Sequence, residues 1–243
     1  MKFRAMLRRV AERLFNVRIY RVTPRGVDPA ADIRRAFPDL RVTTVFDIGA
    51  NVGQSADSFL ADFRDARIWS FEPSRSTFEQ LKARFQDTSR VSCFNYAMSD
   101  HAGTANMERT QESVMRRLVV DDTGGDQPQA MESVEVITLD AFCDGQGVDR
   151  IDYLKIDTEG HELQVLAGAG QMLDTDSIAI PEPELGMNID NRRHTRFEDA
   201  KAILEAKGYR IFAITEQTAE FPTKQPHLRR VNAVFVSGTL IAM

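Results

Sequence analysis

The sequence predicts an α/β fold, a doubly wound, mostly parallel seven-stranded sheet behind a basic N-terminal helical arm. Three observations predict it. From residue 42 onward, short apolar runs alternate with helical patterns, as in a parallel sheet with crossover helices. The first run, 42–48, reads as a near-continuous apolar strand, which suits a strand covered by helices on both faces. Its end carries Asp47, then Gly49 and Gly53, at the place where such sheets meet ligands.

The elements follow in order. Residues 1–25 hold eight basic residues against one acid, Glu12, leaving +7 there and −12 for the rest of a chain of net charge −5. Phe3, Met6, Leu7, Val10, Leu14 and Phe15 recur at helical spacing between arginines. Such a basic amphipathic helix suits an anionic membrane or a partner; its commoner fate is to pack on its own domain. Residues 24–38 form a connector with one short helix, 29–37, so 1–38 reads as arm and connector and 39–243 as one domain. Further helices are predicted over 54–63, 76–85, 162–173 and 197–207. Ser76 and Glu79 have capping-box spacing, and Gly208 closes the last helix. The other main strands are 67–71, 91–96, 151–156, 177–180, 209–213 and 231–236. Between 101 and 138 the rhythm breaks. Residues 103–107 and 134–138 read as strands around a polar stretch with Gly124, Gly125 and Pro128, a candidate lid.

Composition narrows the partners. With 42% apolar and 28% charged residues, the 243-residue chain can fill one sizeable core. The acidic remainder is a poor nucleic-acid surface. The sequence lacks an 18-residue apolar run and a secretory pattern. Cys93 and Cys143 stand 50 apart, without metal-like spacing. Together these point to the cytoplasm, at the inner face of a membrane if the arm binds lipid. A homo-oligomer is compatible with the sequence.

The first turn selects the ligand. Gly49-Ala50-Asn51-Val52-Gly53-Gln54 misses the dinucleotide register, and no Lys-Ser/Thr follows as in a P-loop. Glycines still let backbone approach a ligand. Asp47 would repel a pyrophosphate and hold a cation, directly or through water. S-adenosylmethionine carries a sulfonium, an ammonium and a carboxylate, and no phosphate. Glu72 ends the second strand nineteen residues past Gly53, where an acid accepts hydrogen bonds from ribose hydroxyls. The turn after the third strand, with Ala97 and Met98, would border the adenine.

These residues belong to longer stretches. Phe46-Asp47-Ile48-Gly49-Ala50-Asn51-Val52-Gly53, Phe71-Glu72-Pro73, Ala97-Met98-Ser99-Asp100, Thr138-Leu139-Asp140 and Ile151 through Glu162 (IDYLKIDTEGHE) occur in order from about residue 42 to at least 173. They resemble the FkbM-type methyltransferases, class I S-adenosylmethionine-dependent enzymes. His227-Leu228-Arg229-Arg230 before the last strand resembles them less specifically. The resemblance implies a Rossmann-like methyltransferase fold, S-adenosylmethionine as cofactor, and O-methylation of sugar or polyketide hydroxyls in glycolipids, polysaccharides or natural products. It also adds Pro73 to the expected donor contacts, with Asp47, Gly49, Asn51, Gly53, Glu72, Ala97 and Met98. The basic arm is outside the family's pattern.

Methyl transfer to a hydroxyl needs an aligned oxygen and a base. Asp157, Glu159 and His161 follow the fourth main strand and are the catalytic candidates. His161 is read equally well as a general base or as an exposed helix-start residue, and Glu162 as a complement to the helix dipole. Glu182 and Glu184, between prolines after the fifth strand, join Asp157 as acceptor contacts. These acids could also offer oxygens to Mg²⁺, but nothing in the sequence fixes an octahedral set, so no metal is expected. His194, Arg192 and Arg193 could line the acceptor side, though a solvated loop is the commoner reading of such residues. Two other function classes compete: a NAD-dependent oxidoreductase using Glu72 on the ribose, and a non-catalytic scaffold acting through the arm.

Overall fold

The structure, a computed structural model, describes residues 2–20, 22–108, 118–119 and 131–242. The candidate lid therefore lies largely outside the described residues. The arm is helix α1 (Lys2–Leu14). Its Met6, Val10 and Leu14 are 57%, 48% and 74% exposed, so these apolar residues are not packed on the domain, contrary to the commoner expectation for such a helix. Among the described residues no helix is long and apolar enough to cross a membrane. Helix α2 (Pro29–Ala36) starts on Asp28, whose Oδ1 accepts the Ala31 amide at 2.8 Å, with proline in the first turn. Ala30 and Ile33 are buried, so the connector's helix is part of the domain's core.

Strand β1 (Thr44–Ile48), helix α3 (Gln54–Asp62), β2 (Arg67–Phe71), α4 (Arg75–Arg84) and β3 (Val91–Phe94) build one half of the sheet. Strands β4 (Ala97–Met98), β5 (Gly103–Glu108), β6 (Leu118–Val119) and β7 (Met131–Ile137) form a separate small sheet in the order β4-β7-β5-β6. The other half follows as α5 (Leu139–Gln146), β8 (Tyr153–Ile156), α6 (Glu162–Gly168), α7 (Gly170–Asp174), β9 (Pro181–Gly186), α8 (Phe197–Ala206), β10 (Arg210–Ala219), β11 (Leu228–Val236) and α9 (Gly238–Ala242).

The main sheet has the order β10-β11-β9-β8-β1-β2-β3. It is parallel from β9 to β3, and β11 runs antiparallel to both β9 and β10. The chain winds outward from β1 in one direction and from β8 in the other. The crevice above β1 and β8 is thus the switch point where such sheets bind ligands. Alternation along the strands splits the core. Phe46, Ile48, Leu154 and Ile156 pack with Phe142, Leu166 and Leu204 of α5, α6 and α8. Val45, Ile68 and Tyr153 pack with Ile33, Phe59 and Leu81 of α2, α3 and α4. Each such side chain contributes roughly 1.5–3 kcal/mol of apolar burial.

Local details differ from the sequence reading, for physical reasons. Helix α4 begins one residue before the supposed Ser76–Glu79 capping box. Its N-cap is Ser74, and the Arg75 amide donates to Glu132 Oε1 at 2.8 Å, so the acid that caps it comes from β7. The helix expected over 162–173 is broken at Ala169. There Gly168 lies so close to the Ser99 carbonyl that a Cβ would meet its oxygen at 1.9 Å. The strand expected at 177–180 instead runs through Pro181–Gly186, with only a bridge from Ile178 to Ile151 before it. Glu182 and Glu184 therefore sit inside a strand rather than on its exit. Helix α5 was not expected. Its signals are short: Thr138 Oγ1 accepts the Ala141 amide at 3.1 Å, Leu139, Phe142 and Cys143 are buried, and Gly147 ends it in the left-handed region.

Candidate active site

The turn after β1, where the sequence reading expects the methyl donor, is built by close backbone contacts. At the end of β1, Gly49 takes φ 83°, and its amide and that of Ala50 both donate to the Phe71 carbonyl, at 3.0 and 2.9 Å. A Cβ on Gly49 would meet the Asp157 carbonyl oxygen at 1.8 Å. This position therefore needs glycine both for its φ and for the approach of the neighbouring turn. Asn51 also has positive φ, 49°, and its amide donates to Glu72 Oε2 at 3.1 Å. Glu72 Oε1 accepts the Ser74 amide at 2.9 Å. Asn95 Nδ2 donates to the carbonyls of Glu72 and Pro73, both at 2.8 Å. The ends of β1, β2 and β3 are thereby tied together.

These turns border a cavity of about 290 Å³. Gly49, Asn51, Glu72, Pro73, Ala97 and Met98 line it, together with Tyr96 from the turn expected to border an adenine, and Met107, which the sequence reading did not select. Two expected donor residues lie elsewhere. Gly53 is the N-cap of α3 and packs beneath Phe85 and Leu81. Asp47 is 1% exposed and is not among the residues that line the cavity. Burial pushes its carboxyl up to about 7 despite the opposing pull of Lys155, and Asp157, Glu72 and Glu182 add to the rise.

The cavity's other wall is the turn after β8, lined by Asp157, Thr158, Glu159 and His161, with Arg230 from β11. Glu162 folds this turn. Its Oε1 accepts from the Thr158 amide at 3.0 Å, the Thr158 hydroxyl at 3.0 Å and the Gly160 amide at 3.1 Å. Its role is thus wider than a dipole complement. The tight turn holds Glu159 at φ 53° and Gly160 at φ 104°. A non-glycine residue in the left-handed region is a strained conformation of the kind that clusters at functional sites.

His161 is not the exposed residue that one sequence reading allowed. It is 7% exposed, and its Nε2 lies 2.9 Å from the Ser99 hydroxyl. Burial pushes the Asp157 carboxyl up to about 7, against Lys155, whose Nζ is 3.7 Å away. A carboxyl with that affinity for protons is matched to general-base work near neutral pH.

Glu159 joins a charged cluster. Its Oε2 lies 3.7 Å from His194 Nε2 and 3.9 Å from Arg193 Nε. His194 Nε2 is 3.3 Å from Glu184 Oε2, and Arg230 pairs with Glu184 Oε1. Burial raises Glu159, with His194 opposing. Burial also pushes Glu184 upward, but the His194 hydrogen bond and Arg230 outweigh it and hold its carboxyl below the usual range. His194 is buried, not part of a solvated loop. Glu159, Glu184 and His194 each bring one ligand atom within 4.8 Å of the others, but arginines already neutralise both carboxylates, so the group reads as an ion-pair network. Glu182 points elsewhere: it accepts hydrogen bonds from the Tyr153 hydroxyl and, at 3.0 Å, from the Thr215 hydroxyl.

The site fits S-adenosylmethionine. Asn51 lines the cavity and its Oδ1 is a buried polar atom with no hydrogen-bond partner, and such an atom calls for a bound group. Gly49 keeps the turn open to close approach, Glu72 stands at the second strand end for a ribose, and Pro73, Ala97 and Met98 give an apolar wall for a base. When bound, this group supplies a methyl on a cationic sulfur.

Comparison with known proteins agrees. Residues 47–211 match the methyltransferase FkbM domain. The chain is 24% identical over 145 residues to the hexuronic acid methyltransferase AglP of Haloferax volcanii, covering 59% of this chain and 57% of that protein. It is 26% identical over 143 residues to the 2-O-methyltransferase NoeI of Sinorhizobium fredii, covering 53% and 58%. The matches thus span little more than half the length of either relative. A solved methyltransferase domain of METTL16 overlaps loosely, with a TM-score of 0.49 at 12% identity, over 97% of this chain and 79% of that one. The chain belongs to the FkbM methyltransferase family.

Proposed function

We propose that the protein transfers a methyl group from S-adenosylmethionine to a hydroxyl of a sugar unit in a glycan, glycolipid or natural product. One observation carries this reading. The donor turn and the turn bearing Asp157, Glu159 and His161 face each other across one cavity, with the backbone of Gly49 against that of Asp157. Both halves of an in-line transfer are then held by rigid strand ends, and alignment of this kind supplies much of the rate. Asp157 takes the hydroxyl's proton; His161, fixed by Ser99, is the second candidate for that task. Glu159 lines this cavity within reach of the acceptor, and Glu184 acts through its pairs with His194 and Arg230. Asp47 favours the cationic end of the donor. The two curated relatives, one acting on a hexuronic acid and one a 2-O-methyltransferase by name, support a sugar acceptor. The oxidoreductase reading finds no support in the family match.

The test is incubation of the protein with isotope-labelled S-adenosylmethionine and a cell extract, followed by mass spectrometry of labelled products. Label in a carbohydrate ether is the expected result. Label confined to nitrogen or carbon atoms would overturn the proposal. Binding of S-adenosylhomocysteine with no label in any product would favour a non-catalytic scaffold.

A further inference from the structure

A second cavity, of about 530 Å³, opens on the α2/α3 side of the sheet. Ser58 and Phe59 of α3 form one wall, and Lys155, Glu182, Glu216 and Asn232 the other. Lys155 Nζ and Asn232 Oδ1 are buried and make no hydrogen bond, and the two residues are 4% and 2% exposed. Buried polar atoms without a hydrogen-bond partner are costly, and here the two residues that carry them line one cavity. Lys155 is also the partner of Asp157, at 3.7 Å, and Gln54 and Ser55 line both this cavity and the donor cavity. The two spaces therefore share Gln54 and Ser55 as a common wall, and the Lys155–Asp157 pair joins a residue lining one to a residue lining the other.

Resting on the methyltransferase reading above, we propose that this cavity receives the acceptor as a neutral or amino-bearing polyhydroxylated ring. Lys155 and Asn232 hydrogen-bond its hydroxyls, and one further hydroxyl is presented to Asp157. The sign of the lining sets the class. Asp28, Asp62, Glu182 and Glu216 all line the cavity against the single ammonium of Lys155. Carboxylates accept hydrogen bonds from sugar hydroxyls or an ammonium, and they repel a uronate or a phosphorylated ring.

Saturation-transfer NMR on the full chain tests this, with and without S-adenosylhomocysteine. The probes are methyl glucoside, glucosamine and glucuronate at equal concentration. Methyl glucoside and glucosamine are expected to show saturation, and glucuronate about fivefold less. Asn232→Leu removes one hydrogen-bonding group and should weaken the signal about fivefold. Ser58→Trp, at an exposed position on the cavity rim, should abolish it. Melting curves confirm that both variants fold, and S-adenosylhomocysteine affinity should stay unchanged, since Ser58 and Asn232 are outside the donor cavity's lining. Three results each overturn the proposal: saturation of no sugar, glucuronate matching methyl glucoside, or a full signal in folded Ser58→Trp. Failure of S-adenosylhomocysteine to bind would instead count against the methyltransferase reading, and the sugar signals would still decide the cavity.

Discussion

Lys155 Nζ stands 3.7 Å from Asp157 Oδ2, two residues along the same strand end. It is the cation that opposes the upward push of burial on three carboxyls, Asp47, Asp157 and Glu182. Burial disfavours its own charge, but Asp157, Glu182, Glu184 and Glu216 outweigh that, so its proton is held more tightly than in water.

Replacing it should therefore move Asp157. In Lys155→Met the carboxyl loses its lowering partner, so its pKa rises above about 7, by about one unit or more. The sign for catalysis follows. A base must be ionised, so the rising limb of the pH–rate profile shifts to higher pH. Turnover at pH 7 falls roughly tenfold and recovers toward pH 9. Carboxyl ¹³C NMR titration of Asp157 checks the shift without any acceptor, and an unmoved titration would remove Lys155 from this role.

The base itself is separable from donor binding. Asp157→Asn keeps the shape of the turn but cannot take a proton, and should lower turnover by about 10²–10⁴-fold. His161→Ala should do the same if its link to Ser99 positions a working base. In both variants calorimetry should find S-adenosylhomocysteine affinity within about threefold of the parent, since neither group forms the donor wall made by Gly49, Glu72 and Met98. Turnover unaffected in both would transfer the role to the Glu159–Glu184 cluster.

The contrast between these two halves of the site explains what the sequence could and could not reveal. The residues proposed to hold the donor are local: each sits at a strand end whose position follows from alternating pattern, so Gly49, Glu72, Pro73, Ala97 and Met98 could be named in order as candidates, and all of them line the cavity. Gly53 kept its backbone role but not its contact, because the helix it caps turns it toward Phe85. The acceptor side is assembled from distant chain. His194 and Arg230 meet Glu184 only because β9 pairs with β11 and the loop after β9 folds back. Lys155 carries no motif-level sign of a cavity beside it. Glu182 and Glu184 were placed on a strand exit because proline normally ends a central strand, whereas β9 begins at Pro181 and extends through Pro183.

Gly49 offers a test of the join between the halves. Its φ of 83° lies where a side chain is strained, and an added Cβ would overlap the Asp157 carbonyl at 1.8 Å. Gly49→Ala must push β1 and β8 apart at their ends. We expect a loss of roughly 2–4 kcal/mol in denaturant titrations and at least a tenfold loss of S-adenosylhomocysteine binding in whatever fraction remains folded. Near-parent stability with intact binding would show that the two turns tolerate separation, and with it that their contact does not set the site's geometry.

Asp47 gives the last prediction, in which stability and function pull in opposite directions. Its carboxyl is held near 7 in the free folded chain and ionises near 3.8 when unfolded. Below the lower value both states bind the proton, and nothing is lost. As pH rises from about 4 to 7 the unfolded chain releases it first, so this group progressively destabilises the fold, and the cost levels off above 7. Asp47→Asn removes that dependence. It should raise the melting temperature little at pH 4 and by several degrees at pH 8. Binding moves the other way. A cationic ligand offsets the burial that keeps Asp47 neutral, so parent affinity for S-adenosylmethionine should strengthen between pH 6 and 8. Asp47→Asn should flatten that rise and lose more affinity for S-adenosylmethionine than for S-adenosylhomocysteine, which lacks the sulfonium charge. Equal losses for the two ligands would mean that Asp47 shapes the turn and does not act through its charge.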